Sequence, residues 1–130
     1  MQPNDKVVII TGASAGIGEE FARQLAAAGF DLTLVARRED RLRTLADELS
    51  AAHGIRAEAW PADLADEADV AALAGALATA DDLVLLVNNA GFGTRGEFIE
   101  VELERTLDMI RVHVLATVTL CRAVRRPAPR

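Results

Sequence analysis

The chain has 130 residues, with 14 basic and 20 acidic side chains, a formal net charge of −6 and an apolar fraction of 51%. This balance predicts one globular domain and argues against nucleic-acid binding, which requires a positively charged face. The sequence contains no tyrosine, and Lys6 is its only lysine. A reaction that depends on a tyrosine as proton donor therefore cannot be assigned to these residues alone.

Cysteine content and apolar run length bear on the compartment. Cys121 is the only cysteine, which excludes an internal disulfide framework and fits a reducing environment. The chain starts with a polar segment, and its longest apolar runs, 7–10 and 83–87, are far shorter than the roughly 20 residues that a membrane span needs. We expect a cytoplasmic protein with no membrane segment and no metal site.

The first half of the chain predicts two strands, each followed by a helix. Residues 6–11 and 32–36 are short apolar runs with β-branched residues, typical of buried strands. Between them, a helix over 16–28 carries an apolar stripe that we expect to be buried: Ile17, Phe21, Leu25 and Ala28. A second helix is predicted over 39–52, with Gly54 closing it and four inward residues: Leu42, Leu45, Ala46 and Leu49.

The second half continues this alternation. Residues 56–60 predict a third strand and 83–87 a fourth. A third helix, opened by residues 63–66 and running to about 79, has the expected stripe Val70, Leu73, Ala74 and Leu77. After a loop at 88–96, one long helix is predicted over 102–124, with the stripe Leu103, Leu107, Ile110, Val114 and Thr117. The remaining residues, 125–130, form an Arg/Pro tail that we expect to be unstructured.

This alternation of strands and helices predicts an α/β fold, a doubly wound parallel sheet with right-handed crossovers. Between the first strand and the first helix lie Gly12, Gly16 and Gly18. Glycines permit a tight turn and let the backbone approach a pyrophosphate, and the helix N-terminus favours the anion. Their GxxxGxG spacing differs from GxGxxG, and the lack of a following Lys-Ser/Thr excludes a Walker loop. A tight turn without ligand is the alternative.

Two arginines follow the second strand. An NAD site places a carboxylate near this point to bind the ribose 2′-hydroxyl, but Ala36 stands at the strand end, followed by Arg37 and Arg38. A guanidinium binds a 2′-phosphate through charge-assisted hydrogen bonds, and the hydroxyl of Ser14 could contact the same group. The sequence therefore predicts NADP(H) over NAD(H), with solvated helix-start charges as the alternative.

Three motifs together resemble the short-chain dehydrogenase/reductase (SDR) family. They are Thr-Gly-Ala-Ser-Ala-Gly-Ile-Gly at 11–18, Asp-Leu at 63–64 after the third strand, and Asn-Asn-Ala-Gly at 88–91 after the fourth. The resemblance runs from about residue 6 to residue 124 and covers the N-terminal half of a family member. It implies an NAD(P)-binding domain over 1–124, with a Rossmann-like, incomplete sheet of four strands in the order 3-2-1-4.

The resemblance also implies roles for individual residues. The pyrophosphate turn would comprise Gly12, Ser14, Gly16, Ile17 and Gly18. The adenine and its ribose would be bordered by Asp63, Leu64, Asn89, Ala90 and Gly91. For Asp63 the alternative is a helix N-cap, and for Asn88 and Asn89 it is turn chemistry after a strand.

The sequence departs from the family in two places. Members complete catalysis with a serine and a Tyr-x-x-x-Lys pair in later segments, and none of that set is present here. The middle of the long helix carries His113 where the family has the asparagine of its catalytic tetrad. A half-buried helix histidine is the alternative to any catalytic role.

Three functions stay open. The chain is the NADP(H)-binding part of an SDR oxidoreductase, shortened by a frameshift or premature stop, for which the change to the tail at 125–130 argues. Alternatively, it is a non-catalytic NADP-binding or interaction module that pairs through the 102–124 helix with a second copy or a full-length relative. In the third reading it is a non-functional remnant, whose exposed fourth strand and long helix would cause aggregation.

Overall fold

Four parallel strands form the centre of the fold in this computed structural model, which describes residues 6–124. The strands are β1 (Val7–Thr11), β2 (Asp31–Ala36), β3 (Ala57–Pro61) and β4 (Leu83–Val87). Their order in the sheet is β3-β2-β1-β4, so the doubly wound, Rossmann-like order predicted from the sequence is confirmed. The Arg/Pro tail at 125–130 lies outside the described residues.

Of the five α-helices within residues 6–124, the first three connect these strands and the last two follow β4. In chain order, they are α1 (Gly16–Ala27), α2 (Glu39–His53), α3 (Glu67–Thr79), α4 (Leu103–Ile110) and α5 (Thr117–Ala123). A π-helical segment, Arg111–Ala116, joins α4 to α5. We call the continuous stretch 103–123 the long helix. No helix within 6–124 has the length and apolarity needed to cross a bilayer.

The sheet separates two apolar cores. Because side chains alternate along a strand, Val8 and Ile10 of β1 contribute to one core with residues of α1 and α2. Ile9 contributes to the other core, with residues of α3 and the long helix. The helices therefore cover both faces, and the carboxyl ends of the strands meet at one edge of the sheet.

The predicted buried stripe of α1 is wrong. Ile17 is 70% exposed and Phe21 is 43% exposed; Ala28 is also exposed, and Leu25 is only partly buried. The face against the sheet instead consists of small residues: Gly18, Ala22 and Ala26. Small side chains allow the helix axis to approach the strands closely, so the larger apolar residues are left on the outer side.

The predictions for α2 and α3 fare better. All four residues expected to point inward from α2 are buried. In α3, the residues Val70, Leu73 and Leu77 are buried as expected, and Ala74 packs partly buried against the same core. However, α3 begins at Glu67, later than predicted, because Asp66 is the cap that accepts hydrogen bonds from the amides of Ala68 and Asp69.

The predicted buried stripe of the long helix is also wrong. Leu103, Ile110 and Val114 are 68%, 44% and 50% exposed, and Leu107 and Thr117 are only partly buried. The residues that pack against the core are Val112, Ala116 and Leu120. The long helix thus has two apolar faces, and the periodicity of the sequence indicated the outer one. The π-helical segment also changes the direction in which side chains after it point relative to those before it.

Strand β4 lies at one edge of the sheet. Within residues 6–124 it pairs with β1 only, with a register shift between Val7 and Val8. Its residues Val84 and Leu85 are 39% and 44% exposed. This confirms the edge position expected from the sequence.

Candidate functional site

The turn between β1 and α1 has the shape that its glycines predicted. Gly12 has a φ of +68°, and Gly16 has a φ of +59°. Alanine at position 15 is the N-cap of α1, and its methyl group cannot accept a hydrogen bond from the first-turn amides. Because those amides also lack partners within the helix, the N-terminus of α1 is free to bind an anion.

Two of the glycines permit a close approach of backbone segments. A Cβ atom on Gly18 would overlap the carbonyl oxygen of Gly12. A Cβ atom on Gly12 would lie 2.9 Å from the Cα atom of Ala90 and 2.9 Å from Nδ2 of Asn89. The amide of Asn89 uses this proximity, because Nδ2 donates a hydrogen bond to the Gly12 carbonyl at 3.2 Å. The glycine turn and the loop after β4 therefore form one unit.

The side chain of Thr11 also connects the glycine turn with the loop after β4. It is buried, with 1% of its surface exposed. Its Oγ1 accepts hydrogen bonds from the amides of Asn89 and Ala90, each at 3.0 Å, and donates to the carbonyl of Val87 at 3.4 Å. Thr11 has no predicted role above, although a hydroxyl at the end of an otherwise apolar strand was a usable signal.

A cleft of about 390 Å³ opens at the carboxyl ends of the strands. Nine of the predicted site residues line it: Gly12, Ser14, Arg37, Arg38, Asp63, Leu64, Asn89, Ala90 and Gly91. The other three, Gly16, Ile17 and Gly18, are not among the lining residues, and Ile17 points largely to solvent. The structure therefore brings together in one cleft the residues that follow all four strands.

The arginines at the end of β2 share this cleft with the glycine turn. Arg37, Arg38 and Ser14 all line it, as does Ala36 at the end of the strand. Asp63 and Asp108 are the acidic lining residues. The carboxylate of Asp108 is engaged by Arg111 at 2.8 Å, and this hydrogen bond, more than that of Glu104, holds the pKa of Arg111 above its ordinary value.

Asp63 stabilises a turn after β3 and is not the N-cap of α3. Its Oδ1 accepts a hydrogen bond from the amide of Ala65 at 2.9 Å, and its own amide donates to Oδ2 of Asp69 at 2.8 Å. The side chain is half-buried and lies at the cleft, while the neighbouring Leu64 is buried. The helix-cap alternative for Asp63 is therefore wrong, because Asp66 occupies that position.

The long helix supplies cleft residues that the sequence did not predict. They are Arg105, Asp108 and Val112. The guanidinium carbon of Arg105 lies 4.9 Å from the ring centre of Phe92, which also lines the cleft. No sequence motif marks these residues, because a helix that is distant in the chain brings them to the cleft.

His113 is surface-exposed rather than half-buried as the alternative had it. Its Nε2 atom lies 2.8 Å from the backbone nitrogen of Phe92 and 2.8 Å from the carbonyl oxygen of the same residue. It is not among the cleft-lining residues. It instead contacts the loop after β4, which does line the cleft.

These residues fit a dinucleotide. The close packing at Gly12 and Gly18 leaves no room for a Cβ at either position, and the uncapped first turn of α1 follows Ala15, which lines the cleft. The guanidinium groups of Arg37 and Arg38 and the hydroxyl of Ser14 are hydrogen-bond donors at this cleft, of the kind that bind phosphate. The half-buried carboxylate of Asp63 is a hydrogen-bond acceptor at the same cleft. No cluster within 6–124 has the ligands for a metal ion.

Comparison with known proteins agrees with this geometry. A family model described as short chain dehydrogenase matches residues 6–128. The very-long-chain 3-oxoacyl-CoA reductase of Scheffersomyces stipitis is 34% identical over 122 residues, which are 92% of this chain and 35% of that protein. A similar reductase of Aspergillus clavatus is 41% identical over 94 residues, 68% of this chain and 26% of that protein. The chain thus spans about a third or less of these relatives.

Solved structures share the fold. A short-chain dehydrogenase from Sphingobium yanoikuyae in complex with NADPH superposes with a TM-score of 0.89 at 39% identity, covering 92% of this chain and 47% of that one. The L-sorbose reductase of Gluconobacter frateurii, complexed with NADPH and L-sorbose, superposes with a TM-score of 0.82 at 34% identity, covering 92% and 46%. Both relatives are therefore about twice as long as the part they share with this chain.

Proposed function

Because the chain belongs to the short chain dehydrogenase family, we propose that it forms the NADP(H)-binding part of an oxidoreductase that interconverts a carbonyl and an alcohol. The observation that carries this proposal is the meeting of Arg37, Arg38 and Ser14 with the Gly12 turn in one cleft. When bound, the cofactor would supply or accept a hydride. The Sphingobium yanoikuyae dehydrogenase and the Gluconobacter frateurii reductase that superpose on this chain were solved with NADPH, which supports a nicotinamide dinucleotide as the ligand.

Each segment at the cleft has a part in this proposal. The amides at the start of α1 would bind the pyrophosphate, with Gly12, Gly16 and Gly18 providing the space. Arg37 would bind the 2′-phosphate together with Ser14, and Arg38 would add positive potential. Asp63 and Leu64 would border the adenine.

We propose that the proton donor for this reaction is not among these 130 residues. Reduction of a carbonyl leaves an alkoxide that requires a proton donor, and the 130 residues include no tyrosine. We therefore propose binding without turnover for the isolated chain. Activity of the pure 130-residue chain on a carbonyl or alcohol would contradict this proposal.

A binding titration tests the preference for NADP(H). The variant Arg37→Asp should raise the Kd for NADPH by about 10- to 100-fold, the effect of losing a charge-assisted contact, while leaving the Kd for NADH unchanged. Arg43→Asp is the matched control, because it makes the same charge change at an exposed residue of α2 that pairs with Glu39. Equal affinities of the unmodified chain for NADPH and NADH would refute the preference.

A second candidate function, pairing of subunits, has its own support. The long helix exposes Leu115 and Val118, 57% and 62% exposed, beside Val114. We propose that this outer face packs against a second copy of the chain, because apolar side chains gathered on one exposed face are typical of interaction sites. Light scattering should give a dimer or larger species, with Val118→Glu shifting it towards the monomer. A monomer at all concentrations would contradict pairing.

We also propose a cytoplasmic location. Cys121 is exposed and free, and its Sγ lies 3.2 Å from Nδ2 of Asn88, which suits a compartment that keeps thiols reduced. Cell fractionation with a tagged chain would test this, and recovery in the secreted fraction would contradict it.

A further inference from the structure

The contact between His113 and Phe92 is independent of protonation form. A neutral imidazole has one donor and one acceptor nitrogen. If Nε2 is the acceptor, it takes the hydrogen bond of the Phe92 amide; if it carries the proton, it donates to the Phe92 carbonyl. Both atoms are 2.8 Å away. Phe92 therefore offers His113 a backbone partner in either tautomer.

Gly91 makes room for this contact. A Cβ atom on Gly91 would overlap Cε1 of the His113 ring and lie 2.8 Å from Nε2. The imidazole thus packs closely against a position where only glycine leaves enough space. This close packing, together with the hydrogen bond, fixes the ring relative to two consecutive residues of the loop.

The side chain of Phe92 is held by the same helix. Its ring centre lies 6.3 Å from that of His113, with an interplanar angle of 56°, within the range of favourable tilted aromatic pairs. The guanidinium of Arg105, two turns earlier on the long helix, lies over the Phe92 ring at 4.9 Å. His113 itself belongs to the π-helical segment, a type of insertion often found at functional positions.

The loop at 89–92 is consequently fixed at both ends. At its start, the amides of Asn89 and Ala90 donate to the buried hydroxyl of Thr11. At its end, Phe92 is bound by His113. Asn89, Ala90 and Gly91, which all belong to this fixed segment, line the cleft.

We propose that His113 is a positioning residue, which fixes the 89–92 loop in the shape that the cofactor cleft requires. The proposal rests on the proposed function for its effect on NADPH. Its structural part, the restraint of Phe92 by the imidazole, does not depend on any ligand.

Three variants at position 113 separate hydrogen bonding from size. His113→Ala removes the contact and should raise the Kd for NADPH about 5- to 10-fold, the effect of losing one hydrogen bond. His113→Gln is the matched rescue, because its terminal amide lies as many bonds from Cα as Nε2 does and both donates and accepts. His113→Phe retains a ring without a hydrogen bond and should bind as weakly as His113→Ala.

A second position provides an independent test. Gly91→Ala should displace the imidazole and raise the Kd as much as His113→Ala does. In the double variant the two effects should not add, because both remove the same contact. Full additivity, or unchanged binding in His113→Ala, would overturn the positioning role.

Amide hydrogen exchange at Phe92 provides a readout without cofactor. The amide should exchange faster in His113→Ala and His113→Phe than in the unmodified chain and in His113→Gln, at equal global stability. If NADPH fails to bind the unmodified chain, the proposed function fails, and this exchange comparison still decides the structural part. Equal exchange in all four proteins would refute it.

Discussion

Gly18 provides the sharpest test of how the cleft is built. Its missing side chain lets α1 pack against the carbonyl of Gly12, and alanine there would overlap that backbone oxygen. Gly75 is the matched control, since it also lies inside a helix, α3, and an added Cβ would meet nothing within 4 Å. The structure gives neither glycine a positive φ, so backbone strain does not distinguish the two substitutions.

The expected magnitudes follow from two opposing effects. Replacing a helical glycine by alanine stabilises a fold by about 1 kcal/mol through helix propensity, and this gain applies to both variants. Overlap with a rigid backbone atom costs about 1–3 kcal/mol in Gly18→Ala alone. At roughly 4 °C per kcal/mol for a chain of this size, Gly75→Ala should raise Tm by about 4 °C, with Gly18→Ala about 4–12 °C below it.

Thermal unfolding and NADPH titration together form the assay. Binding is measured well below both Tm values, so that both variants are folded. Gly18→Ala should weaken NADPH binding at least about tenfold, because its helix must shift away from the turn, and Gly75→Ala should not change it. Equal Tm shifts for the two variants would refute the close-packing argument, and unchanged binding in Gly18→Ala would refute the link to the cleft.

Three further predictions concern other parts of the fold. Thr11→Val should destabilise the chain by about 1–3 kcal/mol, because two amides lose their buried acceptor, whereas Thr11→Ser keeps the hydroxyl and should lose much less stability. Chemical denaturation measures both losses, and equal losses would contradict the role of the hydroxyl. Arg23 lowers the pKa of Glu48 below its ordinary value, chiefly by hydrogen bonding, so the stabilisation of the fold by this pair is complete above pH 4.5, the unperturbed pKa, and is lost as the pH falls through the lower folded-state pKa. The Tm of Glu48→Gln should therefore lie below that of the unmodified chain at pH 7, and the two Tm values should converge in acid. A Tm difference that stays constant with pH would contradict this. Ala22→Leu should lower the stability of the fold by about 1–3 kcal/mol through overpacking, while Phe21→Gln on the outer face of α1 should lower it by less than about 1 kcal/mol. The reverse order of Tm values would mean that the stripe predicted from the sequence is the buried face of α1.

Periodicity predicted the elements well and the buried faces unevenly. In α2, large apolar residues coincide with the packed face, and all four predicted residues are buried. In α1 the packed face consists of Gly18, Ala22 and Ala26, residues whose value is their small size. A search for large apolar side chains therefore selected the opposite side.

The long helix shows a second limit of periodicity. A repeat of apolar residues states that a face avoids water, but not what covers it. The stripe through Leu103 and Val114 is exposed in this chain, and Val112, Ala116 and Leu120 pack inside. The π-helical segment between α4 and α5 further alters the phase, and its position has no signature in the sequence.

The sequence predicted those parts of the candidate site that lie within local motifs. Glycines after β1 and arginines after β2 are visible as patterns, and the structure places Gly12, Arg37 and Arg38 at one cleft. The contacts of Thr11 with Asn89 and of His113 with Phe92 join residues 78 and 21 positions apart. Only the fold determines which residues form such pairs, although the hydroxyl at the end of β1 was a signal that Thr11 has a polar partner.

The order of the strands has a consequence for how the chain acquires its binding site during folding. Strand β1 pairs with β2, the next strand in the chain, through the crossover that contains α1, but its other neighbour is β4, and Thr11 bonds to residues 76 to 79 positions later. Contacts of such separation form late, since the entropy of closing the loop must be overcome first. During synthesis β1 therefore presents an open edge until β4 emerges. The cleft forms only after β4 has paired with β1. A ligand bound there would therefore stabilise the complete sheet relative to partly folded chains.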